Sequence, residues 1–438
     1  MKHLIGRGRR FWQHWWKFLL LGLLMLGVVT LPIAYSQEPV TLRVLMTAPD
    51  TPPWRDYLAD VLNTQQHRIR VEVVEGPNSP NLIEDLYTTA FLLGNSPYDL
   101  VYMDVTWAPK FAAAGWLRDL TEDFSTQDLA GFSPQDMEGG KYNGRLYRVP
   151  VRSDTGVLYY RRDLLEAAGL SPPRTLEELV AIAKILQQRG DVRWGYLWQG
   201  RQYEGSTAMF VEIMQGFDGF WIDPQTLEVG LDQPEVIRAV DFLRSTIAEG
   251  ISPPGVTTYV EEDTRLIFQN GDAAFLRSWP YVFPLANQPD SAIRGKFGMM
   301  PMVGSETSSR RGSCLGGWGL GIAKTSKHPQ EALEAIRFLT GAVVQKPYIL
   351  KTGYVPSQRS LFTDPEVVAT YDHYPTLKAI ADQAILRPPI AQYAQATDIL
   401  QRYLSAAITN QLTAEQAMQA AARETRLLLD AARRGGDS

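Results

Sequence analysis

The chain predicts an α/β protein of two domains, on three observations. Strand-like and helix-like stretches alternate from residue 40 to 116, the order that builds a parallel sheet with right-handed crossovers. The 438 residues exceed what one hydrophobic core usually organises. Between 144 and 162, the run GRLYRVPVRSDTGVLYYRR holds two extended pieces split by a short polar turn, the form of a crossing between domains.

The elements follow in order. Residues 40–48 alternate as a strand, 54–63 have helical spacing, 68–76 are again a strand, 82–93 a helix, 98–105 a strand and 108–116 a helix. In parallel sheets ligands sit outside the carboxyl ends of the strands. Those ends are Asp50, the turn Gly76-Pro77-Asn78-Ser79, and Asp104 with Trp107. Asn143-Gly144 suits a hairpin turn, and Pro150 confines its extended piece to a sheet edge or a crossing. Arg152-Ser153-Asp154-Thr155-Gly156 then turns into a strand at 157–160, with Asp154 either capping its own backbone or facing a cleft. Thr175-Leu-Glu-Glu178 is a capping box opening a helix to about residue 188, which Gly190 stops.

Trp198-Gln-Gly-Arg-Gln-Tyr-Glu-Gly205 reads as a loop and 236–248 as an amphipathic packing helix. Residues 263–279 read as a helix, a turn at Asn270-Gly271 and a strand ending at Trp279. The strand 297–300 is expected to return the chain to the first domain. GGWGLGI at 316–322 is strand-like, so it is no dinucleotide fingerprint, which would open into a helix. Its glycines would let backbone amides near a ligand while Trp318 offers a flat face. A helix at 330–339 precedes a mainly helical segment from 354, with a capping box at Thr413-Ala-Glu-Gln416 and Arg387-Pro388-Pro389 in a break.

Composition removes several function classes. Lys2, Arg7, Arg9, Arg10 and Lys17 precede an apolar run at 18–35 that ends in small residues, so 1–36 reads as a signal peptide or an N-terminal membrane anchor. Removing five basic and no acidic residues with that leader leaves 38 basic against 48 acidic, which disfavours nucleic acid. Cys314 is the only cysteine, and three histidines remain after the leader, so metal or triad chemistry has little to stand on. No cofactor or metal is expected.

Five separated stretches carry a resemblance. GRLYRVP at 144–150 with DTGVLYYRRDLLEAAG at 154–169, YDLVYMDVTW at 98–107, FAAAGWL at 111–117, DTRLIFQNGDAAFLRSW at 263–279 and GGWGLGI at 316–322 resemble family 1 extracellular solute-binding proteins. These are the sugar-capturing subunits of bacterial ABC importers, and the trehalose/maltose-binding branch is the nearest. The resemblance implies a two-lobe periplasmic-binding-protein fold (type II), each lobe a mainly parallel sheet flanked by helices, joined by hinge crossings. It implies lobe 1 at 37–149 with 301–352, and lobe 2 at 150–300 with 353–438. It also implies sugar contacts at Asp104, at Arg387 and at Trp279 beneath a ring, with Tyr203 and Glu204 reaching the cleft. Alternatively, Asp104 caps the following helix and Trp279 is a core residue. Arg152 stands where relatives often have an aromatic, and Asn78 and Ile83 where other polar groups are common, so a neighbouring specificity is expected: trehalose, maltose, sucrose or glucosylglycerol.

Asn78, Asp104, Arg152, Asp154, Tyr203, Glu204, Trp279, Gly317, Trp318 and Arg387 form the expected substrate-binding set. Carboxylates accept neighbouring hydroxyl protons, arginine donates in a rigid fork and indoles cover apolar sugar faces. The expected partners are a sugar and the transmembrane subunits of an ABC permease, the expected form a monomer, the compartment periplasmic or extracytoplasmic. The competing readings are a secreted glycoside hydrolase using two carboxylates from Asp104, Asp154 and Glu204, and an anchored scaffold that binds a protein.

Overall fold

The computed structural model describes residues 38–48, 50–60, 68–308 and 310–436; the expected leader lies outside them. The strands are β1 Val40–Met46, β2 Ile69–Glu75, β3 Leu100–Asp104, β4 Lys141–Tyr142, β5 Arg145–Leu146, β6 Val149–Arg152, β7 Val157–Arg161, β8 Trp194–Leu197, β9 Ala273–Ser278, β10 Phe297–Met300 and β11 Trp318–Ile322. They form one sheet in the order β2-β1-β3-β11-β6, a second in the order β10-β7-β9-β8, and the β4-β5 hairpin. The hairpin turns on Asn143 and Gly144, both at positive φ, as the dipeptide predicts.

The first sheet begins as expected, with β1 parallel to β2 and to β3. β3 is buried along its whole length, which is why LVYMD is apolar without alternation until its final aspartate. β11 then runs antiparallel to both β3 and β6, and β6 forms the edge where Pro150 needs no ladder partner. The second sheet departs from the expected parallel pairing: β7 is antiparallel to β9 and β10, and only β8 and β9 are parallel. β10 therefore belongs to the second sheet, and the return to the first lies between Met300 and Trp318, later than the sequence suggests.

Each sheet has its own core. Leu42, Val101, Phe111, Leu320 and Ile336 pack in the first, while Leu158, Phe210, Phe275, Leu400 and Met418 pack on one face of the second. Helix Leu176–Gln188 shows how local sequence builds this: Thr175 accepts from the Glu178 N–H, and Leu176, Leu179, Ala183 and Leu186 form one buried stripe. Glu178 completes only half of the expected box, since its carboxylate takes the Arg174 N–H. The box at Thr413 and Gln416 is reciprocal. Helices Tyr393–Ile408 and Ala414–Gly436 carry C-terminal residues back onto the second sheet.

Candidate functional site

Topology alone brings the polar groups together. Asp50 follows β1, Asp104 ends β3 and Arg152 ends β6, while antiparallel β11 puts its first residue, Trp318, at that same edge. Asp104, Trp318 and Arg152 are register neighbours across three strands. In the second sheet, β9 ends beside Trp279, β7 begins just after Asp154, and β8 leads into Tyr203 and Glu204. The short crossing from Arg152 to Val157 joins the two edges.

Two arginines organise this junction. Arg152 donates to Asp50 Oδ1 at 2.9 Å and to the Tyr354 hydroxyl at 2.6 Å, and pairs with Asp154 Oδ2 at 2.6 Å. Asp50 also accepts from Thr47, Tyr102 and Tyr354. Burial pushes the Asp154 carboxyl up to about 6; Arg152 opposes that rise, while Asp50, Asp136 and Asp104 add to it. Arg387, 2% exposed, donates to Glu204 Oε1 at 2.5 Å and to Asp104 Oδ1 at 3.2 Å. It thus ties the edge of the first sheet to the helix packed on the second. Glu204 further accepts from Tyr393 and from Thr397, and burial raises its pKa against the pull of Arg387.

Asp104 serves two roles at once. Its Oδ1 takes the Thr106 backbone N–H at 3.0 Å and hydroxyl at 2.9 Å, holding the turn into the next helix. Its Oδ2 and the Oδ1 of Asp154 have no hydrogen-bond partner among the described residues. The cap reading and the site reading of Asp104 are therefore compatible.

Trp279 is half-buried and held from several sides. The Arg277 guanidinium lies 4.4 Å from its ring centroid, and Arg277 is locked to Glu212 by two bonds of 2.6 and 2.8 Å. The indole N–H donates to Glu261 Oε1 at 3.3 Å, and Tyr203 donates to the other Glu261 oxygen at 2.6 Å. Gly316 keeps the ring edge clear, since a Cβ there would lie 2.7 Å from Trp279 and 3.4 Å from Asp154 Cβ. A fixed indole beside unfilled acceptors can bind a flat, hydroxylated solute.

Five expected residues sit differently. Trp318 is not an open platform: it stacks on Tyr102 at 4.8 Å and 15°, meets Trp107 edge-on and has the Arg152 guanidinium 5.9 Å from its centroid. Gly317, at φ 119°, makes room for the neighbouring strand, because a Cβ there would lie 2.5 Å from the Arg152 carbonyl oxygen. Asn78 is exposed, whereas the buried carbonyl oxygen of Asn81 lacks a partner. Tyr203 and Glu204 belong to a helix start, not to an open loop, with Glu204 opening Glu204–Gly216. Tyr354 and Glu261 also stand at this junction without having been expected there, and Asp50 lay outside the expected binding set. Only Asp50 had a signal, its place at a strand end. Among the described residues no group of three His, Cys, Asp or Glu side chains is placed to hold a metal ion.

Relatives share this architecture. A profile of the bacterial extracellular solute-binding protein family matches residues 48–346. A probable ABC transporter-binding protein of Deinococcus radiodurans is 30% identical over 79% of this chain and 83% of its own length. A maltotriose-binding protein of Pyrococcus abyssi is 26% identical over 65% of this chain, spanning 60% of that protein. The maltose-bound MalE3 of T. maritima superposes with a TM-score of 0.83 at 36% identity, covering 89% of this chain and 99% of that one. Binding proteins, not hydrolases, are what the chain resembles, and the type II two-lobe fold is theirs as well. By its matched length and by its kinship with the Deinococcus protein, the chain belongs to the bacterial extracellular solute-binding protein family.

Proposed function

We propose that the protein is the extracytoplasmic capture subunit of an ABC importer and that its solute is a neutral disaccharide or small glycoside held between the two sheets. The observation that carries this reading is the pair of buried aspartates at the junction, Asp104 and Asp154, each with one unfilled carboxyl oxygen, with the braced Trp279 next to Asp154 across Gly316. Those acceptors suit hydroxyl donors, and the indole suits a sugar face. Both arginines are already committed to carboxylates, which favours uncharged solutes over acidic ones. The maltose and maltotriose named for the two relatives support the α-glucoside class.

Two or three charge-assisted bonds of about 1.5–3 kcal/mol each, with stacking, reach the roughly 8 kcal/mol of micromolar binding after association costs. Hinge closure of the lobes would bury the sugar, and the closed form would be delivered to the permease. Calorimetric titration with maltose, trehalose, sucrose and glucosylglycerol, followed by chromatography of the recovered sugar, tests this. Micromolar binding of one intact sugar is expected. Absence of binding across the panel would refute the reading.

A further inference from the structure

Arg152 occupies a compartment built from the same materials as a sugar subsite. Its guanidinium lies 4.9 Å from the centroid of the Tyr354 ring and 5.9 Å from that of Trp318. Asp50 closes the compartment by accepting an Arg152 N–H at 2.9 Å, and Asp154 Oδ2 pairs with the Arg152 charge at 2.6 Å from Nε. Two aromatic rings and two carboxylates around one planar group match what a pyranose ring asks for as well as what a guanidinium asks for. The Arg152 side chain is 15% exposed, so it is reachable from outside and not sealed in the core.

The compartment adjoins the site already described. Gly316 touches both Trp279 and Asp154, and Trp318 separates Arg152 from Asp104 by one strand on each side. A solute lying against Trp279 and Asp154 therefore ends where Arg152 begins. We propose that Arg152 is a resident occupant of a ring-sized subsite and sets the number of sugar rings the cleft accepts. This rests on the sugar reading above. A neutral ring cannot displace Arg152, because doing so would strip the cation from two buried carboxylates.

The test is calorimetry with maltose and maltotriose on the wild-type protein, on Arg152→Ala, and on Arg152→Ala combined with Asp50→Asn, which removes one orphaned charge should the single variant fold poorly. The wild type is expected to prefer maltose, and emptying the compartment to shift the ratio of affinities toward maltotriose by at least about tenfold, roughly 1.4 kcal/mol. Low-millimolar guanidinium chloride should refill it, weakening maltotriose in the variants and leaving maltose nearly unaffected. A purely structural arginine would lower both affinities together and give no guanidinium competition. That outcome, an unchanged ratio, or a wild type that already binds both sugars equally would overturn the proposal. A wild type that binds no saccharide refutes the sugar reading itself, and this inference falls with it.

Discussion

Asp154 is bound to Arg152 through one carboxyl oxygen, and burial raises its pKa to about 6. Hydroxyl donors favour the ionised carboxylate, so bound sugar stabilises that form and lowers its pKa. Sugar affinity should therefore rise with pH through about 6 and level off above it, falling on acidification from pH 7 to 5. Asp154→Asn should lower affinity about tenfold at neutral pH and flatten the profile. Calorimetry across that range checks both; an unaltered slope would assign the titration elsewhere. Trp279→Ala should cost about tenfold or more and remove much of the sugar-induced change in tryptophan fluorescence. The placement of Asp104, Asp154 and Arg387 at the junction could be expected because each sits beside a recognisable stretch of chain. That of Glu261 and Tyr354 could not, because their roles come from side chains 18 and 304 residues distant in sequence, Trp279 and Asp50.

Strand and helix order through residue 116 could be read from periodicity, but pairing direction in the second sheet could not. A strand's apolar pattern records which faces are covered, not which way its neighbour runs, and β7, β9 and β10 are joined by long excursions. The glycines around Trp318 carried a similar ambiguity: close approach was implied, but to what was not. The answer is the β6 backbone, so Gly317→Ala should destabilise the protein by about 1–3 kcal/mol. Beneath Trp279, Glu212 and Arg277 are wholly buried as a pair, and Glu212 also accepts the Cys314 backbone N–H. Glu212→Ala leaves Arg277 uncompensated and should cost about 3–5 kcal/mol. Urea unfolding measures both; a change under 0.5 kcal/mol, the level of an ordinary surface substitution, would show that the site tolerates the loss.

Over the whole molecule, the chain passes between the sheets at 152–157 and again at 300–318, with Leu315 bridging Thr155 and Cys314 bridging Ile385 where these paths meet. Cys314 is fully buried there, and burial pushes its thiol up to about 12. It should resist aromatic disulfide reagents in the native state and react at once in denaturant; prompt native labelling would mean this junction opens. The bridge from Asp104 to Arg387 spans the two sheets, so the carboxylate proposed to hold the solute also carries a contact between them. The most direct test of the account is calorimetric titration of maltose into the wild-type protein and into Asp104→Ala. Binding near micromolar is expected for the wild type and a loss of at least about tenfold for the variant. Equal affinities in the two proteins would contradict it, because the solute would then not be held at the junction that Asp104, Arg387 and Trp279 define.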